Sequence, residues 1–174
     1  MLTFFKRQRA AAALSILLCS PVLAMAGILT DPDPDAPEWA EADVVLPAAP
    51  QAGDMIVFLK NESQSFAIDS KSLSVAKDGT IRYTMIATSS SGAKNVSYEA
   101  LRCDTAEKKL YAFGKTDGGW SRSRRDQWIS IFPTGEKNQH YVLFTDYLCD
   151  GKTSAGKVPV LLERLRGQKN PFRN

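Results

Sequence analysis

Alternating apolar and polar side chains across residues 81–87 predict a β-strand with one buried face. Odd-numbered positions form the apolar side and even-numbered positions the other: Ile81, Tyr83, Met85 and Ala87 against Arg82, Thr84 and Ile86. A period of two is the repeat of a β-strand, in which successive side chains point to opposite faces. We therefore expect only the odd-numbered set to be buried.

Two more strands follow this one after short turns. Residues 89–92 are small and end in a glycine that can adopt a positive φ, which indicates a turn. Residues 96–100 alternate again, but the apolar parity then switches to Leu101 and Cys103, which predicts a β-bulge. Residues 110–113 give the third strand. Loops this short cannot hold a parallel crossover, so the sequence predicts an antiparallel meander.

Apolar runs on both sides of these strands complete the expected fold. Upstream, residues 55–59 and 66–68 are candidate strands, and Leu73 and Val75 continue the pattern. An Asp-Gly pair at 78–79 then supplies a hairpin-turn dipeptide between two strand-like runs. Downstream, residues 140–150 have apolar side chains at helical spacing, and residues 158–165 form a final short helix or strand. We expect an α+β domain with an antiparallel β-meander sheet of about five strands, flanking helices and one disulfide.

The first 26 residues have the composition of a secretory signal peptide. Three basic residues precede an uncharged apolar run at 10–23, and the small residues at 24–26 resemble a cleavage site. The run is too short, and too quickly followed by polar sequence, for a membrane span. An uncleaved anchor is the alternative. Cleavage after Ala26 would leave an exported, periplasmic protein without a transmembrane segment.

The mature chain divides into an arm, one domain and a tail. Residues 27–53 form an acidic, proline-rich N-terminal arm, residues 54–168 a single α+β domain and residues 169–174 a basic tail. The leader holds three of the 22 basic residues and none of the 19 acidic ones, so the mature chain carries 19 of each. A formal net charge of zero gives no support for nucleic-acid binding.

Repeated proline and repeated negative charge predict an extended or disordered arm. Residues 27–59 contain seven acidic residues and no basic one, so the body that follows is basic. Trp39 is the one large apolar anchor of the arm, and we expect it to dock into a groove on the body. Attraction between surface charges is weak and screened by salt, so a partner could also displace the arm.

Cys103 and Cys149 are the two cysteines outside the leader. An exported protein enters an oxidising compartment, so we expect these residues to form a disulfide. Closing a loop of about 47 residues contributes roughly 4 kcal/mol on the chain-entropy model. A catalytic dithiol is the alternative, but it usually has Cys-x-x-Cys spacing, which this sequence lacks.

Residues 120–128 combine two tryptophans with three arginines. The candidate binding residues for a phosphate or carboxylate group are Trp120, Arg122, Arg124, Arg125 and Trp128. Ser123 and Asp126 resemble a capping box, which predicts a helix with Arg124 and Trp128 on one face. A strand would also gather the arginines. The alternative to binding is a solvated face with the tryptophans packed below it.

The sequence contains few catalytic signatures. His140 is the only histidine, which excludes a metal site built on two or three imidazoles, and we expect neither a metal nor a cofactor. There is no glycine-rich phosphate loop, nucleophile elbow or zinc-ligand spacing. Four carboxylates could still converge in space: Glu99, Asp104, Asp126 and Asp146. We interpret His140 with Asp146 as a capping or surface feature rather than an acid–base pair.

Several spaced motifs resemble the family named after the cryptic neisserial protein. They lie at residues 78–84, 91–103, 110–112 and 147–149, and the resemblance extends over roughly residues 39–165. The family consists of small exported proteins of Gram-negative bacteria. The resemblance implies a periplasmic or envelope location and a domain without assigned activity, so no site residues are transferred from it. The strand-rich half is also loosely similar to the surface-adhesin E type of envelope domain, from which no function follows.

These observations lead to one main functional hypothesis and two rivals. The main hypothesis is a non-catalytic envelope protein that binds another envelope component, which would be anionic if the arginine segment is the site. A small carboxylate-dependent hydrolase is the alternative, and two carboxylates facing each other in a concave pocket would favour it. The third reading is a structural or chaperone-like accessory protein.

Overall fold

An antiparallel sheet organises the protein, whose computed structural model describes residues 38–131 and 138–167. Within these residues its eight strands are β1 (Met55–Lys60), β2 (Gln64–Asp69), β3 (Ser74–Val75), β4 (Ile81–Ser89), β5 (Lys94–Arg102), β6 (Glu107–Gly114), β7 (Trp120–Arg122) and β8 (Ile129–Ser130). Their order is β1-β2-β4-β5-β6-β7, while β3 pairs with β4 and β8 pairs with β6. The antiparallel sheet is confirmed, and it is larger than the expected five strands.

The short strands β3, β7 and β8 account for the larger sheet. Each contains only two or three residues. The pattern at Leu73 and Val75 indicated β3, whereas β7 and β8 are too short for a period of two to set them apart as strands. β7 and β8 pair with opposite ends of β6, through Ala112↔Arg122 and Glu107↔Ser130. The tryptophan and arginine segment therefore runs between two strands on the same side of β6.

The central strand β4 is buried on both faces. Its odd-numbered side chains lie in the core, as expected. The even-numbered side chains are enclosed too, since Arg82 is 5%, Thr84 0% and Ile86 7% exposed. The expectation of a single buried face is therefore wrong. The reason is that residues of the arm cover part of the second face, as the hydrogen bonds to Arg82 show.

The β-bulge expected after Ala100 has a different position. β5 pairs with β4 over eight consecutive residue pairs without interruption. The register shift lies between Tyr98 and Glu99 in the pairing of β5 with β6, where Tyr111 is the additional residue. Because β5 is buried on both faces, it has apolar residues of both parities, and the switch of parity does not mark a bulge.

A helical layer packs against one face of the sheet. It contains α1 (Gln139–Val142), a π-helical segment (Leu143–Leu148) that continues directly from α1, and α2 (Val158–Leu165). Leu143, Leu148 and Leu161 are fully enclosed and belong to the same core cluster as the odd-numbered side chains of β4. The helix expected within residues 140–150 and the helical option for residues 158–165 are confirmed.

A disulfide joins the sheet to the helical layer. Cys103 follows β5, and its bond to Cys149 spans a Cα–Cα distance of 5.6 Å. Cys149 begins β9 (Cys149–Asp150), which forms a small hairpin with β10 (Thr153–Ser154). Both cysteines are 5% exposed. The expected Cys103–Cys149 disulfide is confirmed.

Some sequence expectations concern segments outside the described residues. These segments are the leader at residues 1–26, the first part of the arm at residues 27–37 and the basic tail at residues 169–174. The described residues from Trp39 onward belong to one compact unit. Within the described residues, none of the helices has both the length and the apolar character needed to cross a bilayer.

Candidate functional site

Residues 39–47, called the docked arm below, lie across the sheet on the side opposite the helices. The surface beneath them, called the arm face, is formed by Arg82, Tyr98, Ala100, Arg102, Lys109, Tyr111, Trp120 and Trp128. Val44 and Leu46 pack against the aromatic part of the arm face, while Val45 between them is 80% exposed. The expected docking of the arm on the body is confirmed.

Arg82 and Asp78 hold the backbone of the docked arm. Arg82 donates from Nη1 to the carbonyl oxygen of Asp43 and from Nη2 to that of Ala42, both at 2.7 Å. Asp78 Oδ2 accepts from the Ala42 N–H at 2.7 Å and from Arg82 at 3.0 Å. Burial would raise the pKa of Asp78, but hydrogen bonds from Thr80 and Ala42 and the charge of Arg82 hold it below its ordinary value. The pair therefore contacts main-chain atoms rather than side chains.

Glu41 is the acidic side chain of the docked arm that the arm face binds. Its carboxylate accepts from Lys109 Nζ at 2.7 Å and from the Tyr111 hydroxyl at 2.6 Å. Lys109 also pairs with Asp126 at 2.6 Å. Burial would lower the pKa of Lys109, but Asp126 and Glu41 raise it above its ordinary value, so Lys109 is a cation at neutral pH.

Trp39 is held by one hydrogen bond and two ring contacts. Its Nε1 donates to the carbonyl oxygen of Asp78 at 2.9 Å. The Arg102 guanidinium lies 3.7 Å from the centroid of the ring, a cation–π geometry, and Trp128 meets the ring edge-on at 5.9 Å. Trp39 is nevertheless 36% exposed. It is thus anchored at the border of the arm face rather than enclosed.

The two tryptophans of the candidate binding segment pack on the arm face. Trp120 donates from Nε1 to the carbonyl oxygen of Pro47 at 2.7 Å and contacts Tyr98. Trp128 contacts the edge of Trp39, and the cationic groups of Arg102 and Lys109 lie 5.7 and 5.8 Å from the centroid of its ring. Both rings are only partly exposed. They fix the ends of the segment to the body.

The segment between these tryptophans is not a helix. Residues 123–128 have no regular secondary structure, and the strand option holds only for β7. The Ser123 hydroxyl exchanges hydrogen bonds with the backbone N–H and carbonyl oxygen of Arg125 in a tight turn. Asp126 forms an ion pair with Lys109 instead of capping a helix. The predicted helix with Arg124 and Trp128 on one face is therefore wrong, because Ser123 and Asp126 are engaged in other contacts.

The three arginines of the segment are exposed. Arg122, Arg124 and Arg125 form no ion pair with any residue that the structure describes. The three cations of the arm face all have carboxylate partners: Arg82 with Asp78, Arg102 with Asp104, and Lys109 with Glu41 and Asp126. The protein thus places neutralised and uncompensated cations next to each other.

A second polar cluster lies on the helix side of the sheet. His140 Nε2 is 2.7 Å from Glu99 Oε2, and Ser97 donates to the other oxygen of Glu99 at 2.6 Å. Lys108 Nζ is 3.0 Å from His140 Nδ1, and Asn138 accepts from the His140 N–H at 2.9 Å. If Lys108 donates a hydrogen bond to His140 Nδ1, the proton of the His140 ring is on Nε2, which then donates to Glu99. The cluster is then satisfied with one positive and one negative charge.

Burial shapes the protonation of this cluster, which we call the Glu99 cluster. Burial alone would raise the pKa of Glu99, but hydrogen bonds from His140 and Ser97 and the positive charge of Lys108 hold it below its ordinary value. Burial lowers the pKa of Lys108. Glu99 is 8% and His140 4% exposed, so a substrate could not reach them without a rearrangement.

The carboxylates considered for a hydrolase have separate environments. Glu99 is in its cluster on the helix side, whereas Asp126 is bound to Lys109 on the arm face. Asp104 forms an exposed pair with Arg102, and the partner of His140 is Glu99 rather than Asp146. In the part of the chain that the structure describes, no three metal-ligating side chains converge.

Comparison with protein families identifies the family of this chain. A model of the CNP1-like family, the cryptic neisserial protein-like family, matches residues 34–166. The chain belongs to the CNP1-like family. The match covers the docked arm, the sheet, the disulfide and both helices, so the arm is part of the family's sequence pattern and not an addition to it. Neither the comparison with curated proteins nor that with solved structures found a match.

Sequence reasoning missed most of the residues that hold the arm in this CNP1-like domain. Arg82, Arg102 and Lys109 sit in strands; alternation puts Arg82 on the polar side of its strand and gives no role to the other two. Asp78 was interpreted only as a turn residue. The available signal was the contrast between an acidic arm and a basic body, which indicated that the two attract each other but not through which residues.

Proposed function

We propose that this CNP1-like protein is an exported, non-catalytic binding domain of the cell envelope that uses Arg122, Arg124 and Arg125 to hold an anionic group. The observation that carries the proposal is the contrast between these exposed arginines and the neutralised cations beside them. Arginine binds phosphate and carboxylate through paired hydrogen bonds. A cluster of arginines that the described chain leaves uncompensated is therefore suited to an external anion.

Trp120 and Trp128 support this function by positioning the segment. Their rings are packed on the arm face at both ends of the arginine run, and Ser123 closes a turn within it. The arginines are thus presented from a loop of restricted length. Restricting the loop lowers the entropy cost of binding compared with a free basic tail.

Export is supported by the disulfide and by the N-terminal sequence. Disulfides form and persist in oxidising compartments such as the periplasm, and the Cys103–Cys149 bond links the two layers of the domain. The leader-like residues 1–26 favour the same compartment. The anionic groups available there include the phosphates of lipids and of envelope glycans.

The proposal is tested by co-sedimentation with vesicles of phosphatidylcholine and phosphatidylglycerol at low salt. We expect the triple variant Arg122→Ala/Arg124→Ala/Arg125→Ala to bind roughly 100-fold more weakly, since each basic residue near an anionic surface contributes about 1 kcal/mol. Competition by inorganic phosphate would indicate recognition of a phosphate group, and its absence would indicate a requirement for a charged surface.

A charge-matched control separates a site from net charge. Lys71, Lys94 and Lys157 are exposed and lie elsewhere in the fold, and the described residues give them no ion-pair partner. Their triple substitution by alanine removes the same three charges and should leave most of the vesicle binding intact. Equal losses in both triple variants, or no vesicle binding by the unmodified protein, would refute the arginine site.

A further inference from the structure

The docked arm is held in the way that a peptide ligand is held. We propose that the arm face is a peptide-binding groove for an extended segment of a partner protein that has tryptophan two residues before glutamate. In this structure the chain's own Trp39 and Glu41 fill the groove. The inference uses residues other than Arg122, Arg124 and Arg125 and does not depend on the anion-binding function proposed above.

The main chain of the ligand is recognised without regard to its sequence. Arg82 donates to two successive carbonyl oxygens, those of Ala42 and Asp43, and Asp78 accepts from the N–H of Ala42. These three hydrogen bonds of 2.7 Å need only an extended peptide. Thr80 fixes Asp78 through both its N–H and its hydroxyl, so the clamp is built into the β4 turn before any ligand binds.

Two side-chain positions of the ligand give the groove its specificity. In an extended chain, residues two apart point to the same side, and Trp39 and Glu41 both face the body while Ala40 between them is exposed. The first position receives an aromatic ring on Arg102, against Trp128. The second receives a carboxylate between Lys109 and the Tyr111 hydroxyl. An aromatic residue followed by an acidic one at this spacing meets both requirements.

The arm can leave the groove without breaking the sheet. Residues 38–50 form no strand, so no ladder of backbone hydrogen bonds ties them to the neighbouring strands. The residues that follow the docked arm are largely exposed, as Ala48, Ala49, Gln51 and Gly53 show. If the arm left, Lys109 would keep Asp126 and Arg102 would keep Asp104. Both of these cations would therefore still be paired with a carboxylate of the body while the groove is empty.

The docked arm competes with any partner for the groove, because it is tethered to the same chain. A segment joined by a short flexible linker competes at an effective concentration on the order of 1 mM. A free peptide with the arm's own sequence has the same intrinsic affinity as the arm. Its apparent Kd for the unmodified chain should therefore be on the order of 1 mM for any intrinsic Kd well below that concentration. Loosening the arm should reveal the intrinsic affinity.

The test uses the full chain and a fluorescent peptide with the sequence of residues 38–48, followed by anisotropy. Trp39→Ala/Glu41→Gln removes both specificity contacts of the arm, and Ala42→Pro, a second variant, removes the N–H that Asp78 accepts. We expect each variant to bind the peptide at least tenfold more tightly than the unmodified chain. A control peptide that carries Trp39→Ala and Glu41→Gln should bind each variant at least tenfold more weakly.

Four results would overturn the proposal. In the first, neither variant gains affinity although circular dichroism shows that both are folded. In the second, both variants fail to fold, which would make the arm a fixed part of the domain. In the third, the control peptide binds as tightly as the arm peptide, and in the fourth, light scattering shows that the unmodified chain dimerises with concentration, which would assign the groove to the arm of a second copy. A groove-side variant, Lys109→Met in the Ala42→Pro background, should lose at least tenfold of the gained affinity. Vesicle binding by the arginine segment is a separate readout and should not change.

Discussion

The two faces of the central strands are covered by different means. On the helix side, a continuous apolar core and a disulfide join the sheet to α1, the π-helical segment and α2. On the arm side, a small aromatic cluster is surrounded by directional contacts to Arg82, Asp78 and Lys109. Apolar burial is non-directional and depends little on which segment provides it, whereas the charged contacts require particular atoms. One face is suited to stability and the other to recognition.

Both faces contain charges, but with different access to solvent. In the Glu99 cluster the carboxylate and His140 are buried, whereas Lys108 at its edge is only partly buried. On the arm face, Glu41 is partly exposed, and water can replace the contacts it would lose. Losing one partner of an enclosed pair is far more costly than losing one partner of an open pair. The predictions below rank the two faces by that difference.

Removing the disulfide should have the largest effect on the helix side. We expect Cys103→Ala/Cys149→Ala to lower the free energy of unfolding by about 4 kcal/mol, because the bond closes a long loop in the unfolded chain. Urea denaturation measures the change. Reduction of the unmodified protein is the control and should give a loss of similar size. A loss below about 1 kcal/mol in both would mean that apolar packing alone joins the two layers.

Glu99→Gln should be the next most costly change, at about 3 kcal/mol, because it leaves the buried His140 and the partly buried Lys108 without a negative partner. The effect should depend on pH. The pKa of Glu99 is lower in the folded protein than its ordinary value of 4.5. Its stabilising contribution is therefore present above about pH 4.5 and is lost as the pH falls through the lower folded value.

Urea denaturation between pH 3 and pH 7 tests this linkage. The difference in stability between the unmodified protein and Glu99→Gln should shrink as the solution is acidified below pH 4.5. Glu62→Gln, an exposed position in the β1–β2 turn, is the matched control and should change stability by less than about 0.5 kcal/mol. A constant difference across the range would contradict the assigned role of the Glu99 carboxylate.

Trp39→Ala should have an intermediate effect on the arm side, about 1–2 kcal/mol, because it removes a cation–π contact and a partly exposed ring. Leu143→Ala on the helix side should cost about 3 kcal/mol, since it opens a cavity in an enclosed core. Thermal unfolding of both variants gives the comparison. Equal losses would remove the distinction between a stabilising face and a recognition face.

The triple arginine variant should have the smallest effect on stability. Arg122, Arg124 and Arg125 are exposed and make no ion pair within the described chain, so we expect a change within about 0.5 kcal/mol. Chemical denaturation of the variant used for vesicle binding measures it. A large destabilisation would mean that the arginines hold the fold, and any loss of binding would then have to be attributed to unfolding.

The elements that were predicted correctly are encoded locally. The strands β4 and β5 follow from alternation and β6 from a short apolar run, and Gly79 and Gly92 in the turns have positive φ. The disulfide followed from the number of remaining cysteines and the expected compartment. Docking of Trp39 followed from its being the one large apolar side chain in a polar arm. Each of these inferences needed only neighbouring residues or a count.

The contacts that were missed join residues far apart in the chain. Arg82 binds carbonyl oxygens 39 and 40 positions earlier, and His140 binds a carboxylate 41 positions earlier. A local pattern cannot show which distant segment will cover a strand, so the polar side of β4 looked solvent-facing. The helix predicted at Ser123 is absent for the same reason, because Asp126 forms an ion pair with Lys109 of β6 instead of capping a helix.

The enclosure of β4 from both sides has a consequence for sequence variation. From Thr80 to Ile86, all seven consecutive side chains are at most 7% exposed. A strand that lies on the surface of a core tolerates replacement at every second residue, because its outward side chains touch only water. In a saturation-mutagenesis library of this protein, β4 should instead give an unbroken block of intolerant positions, with Arg82 as restricted as the leucines of the core.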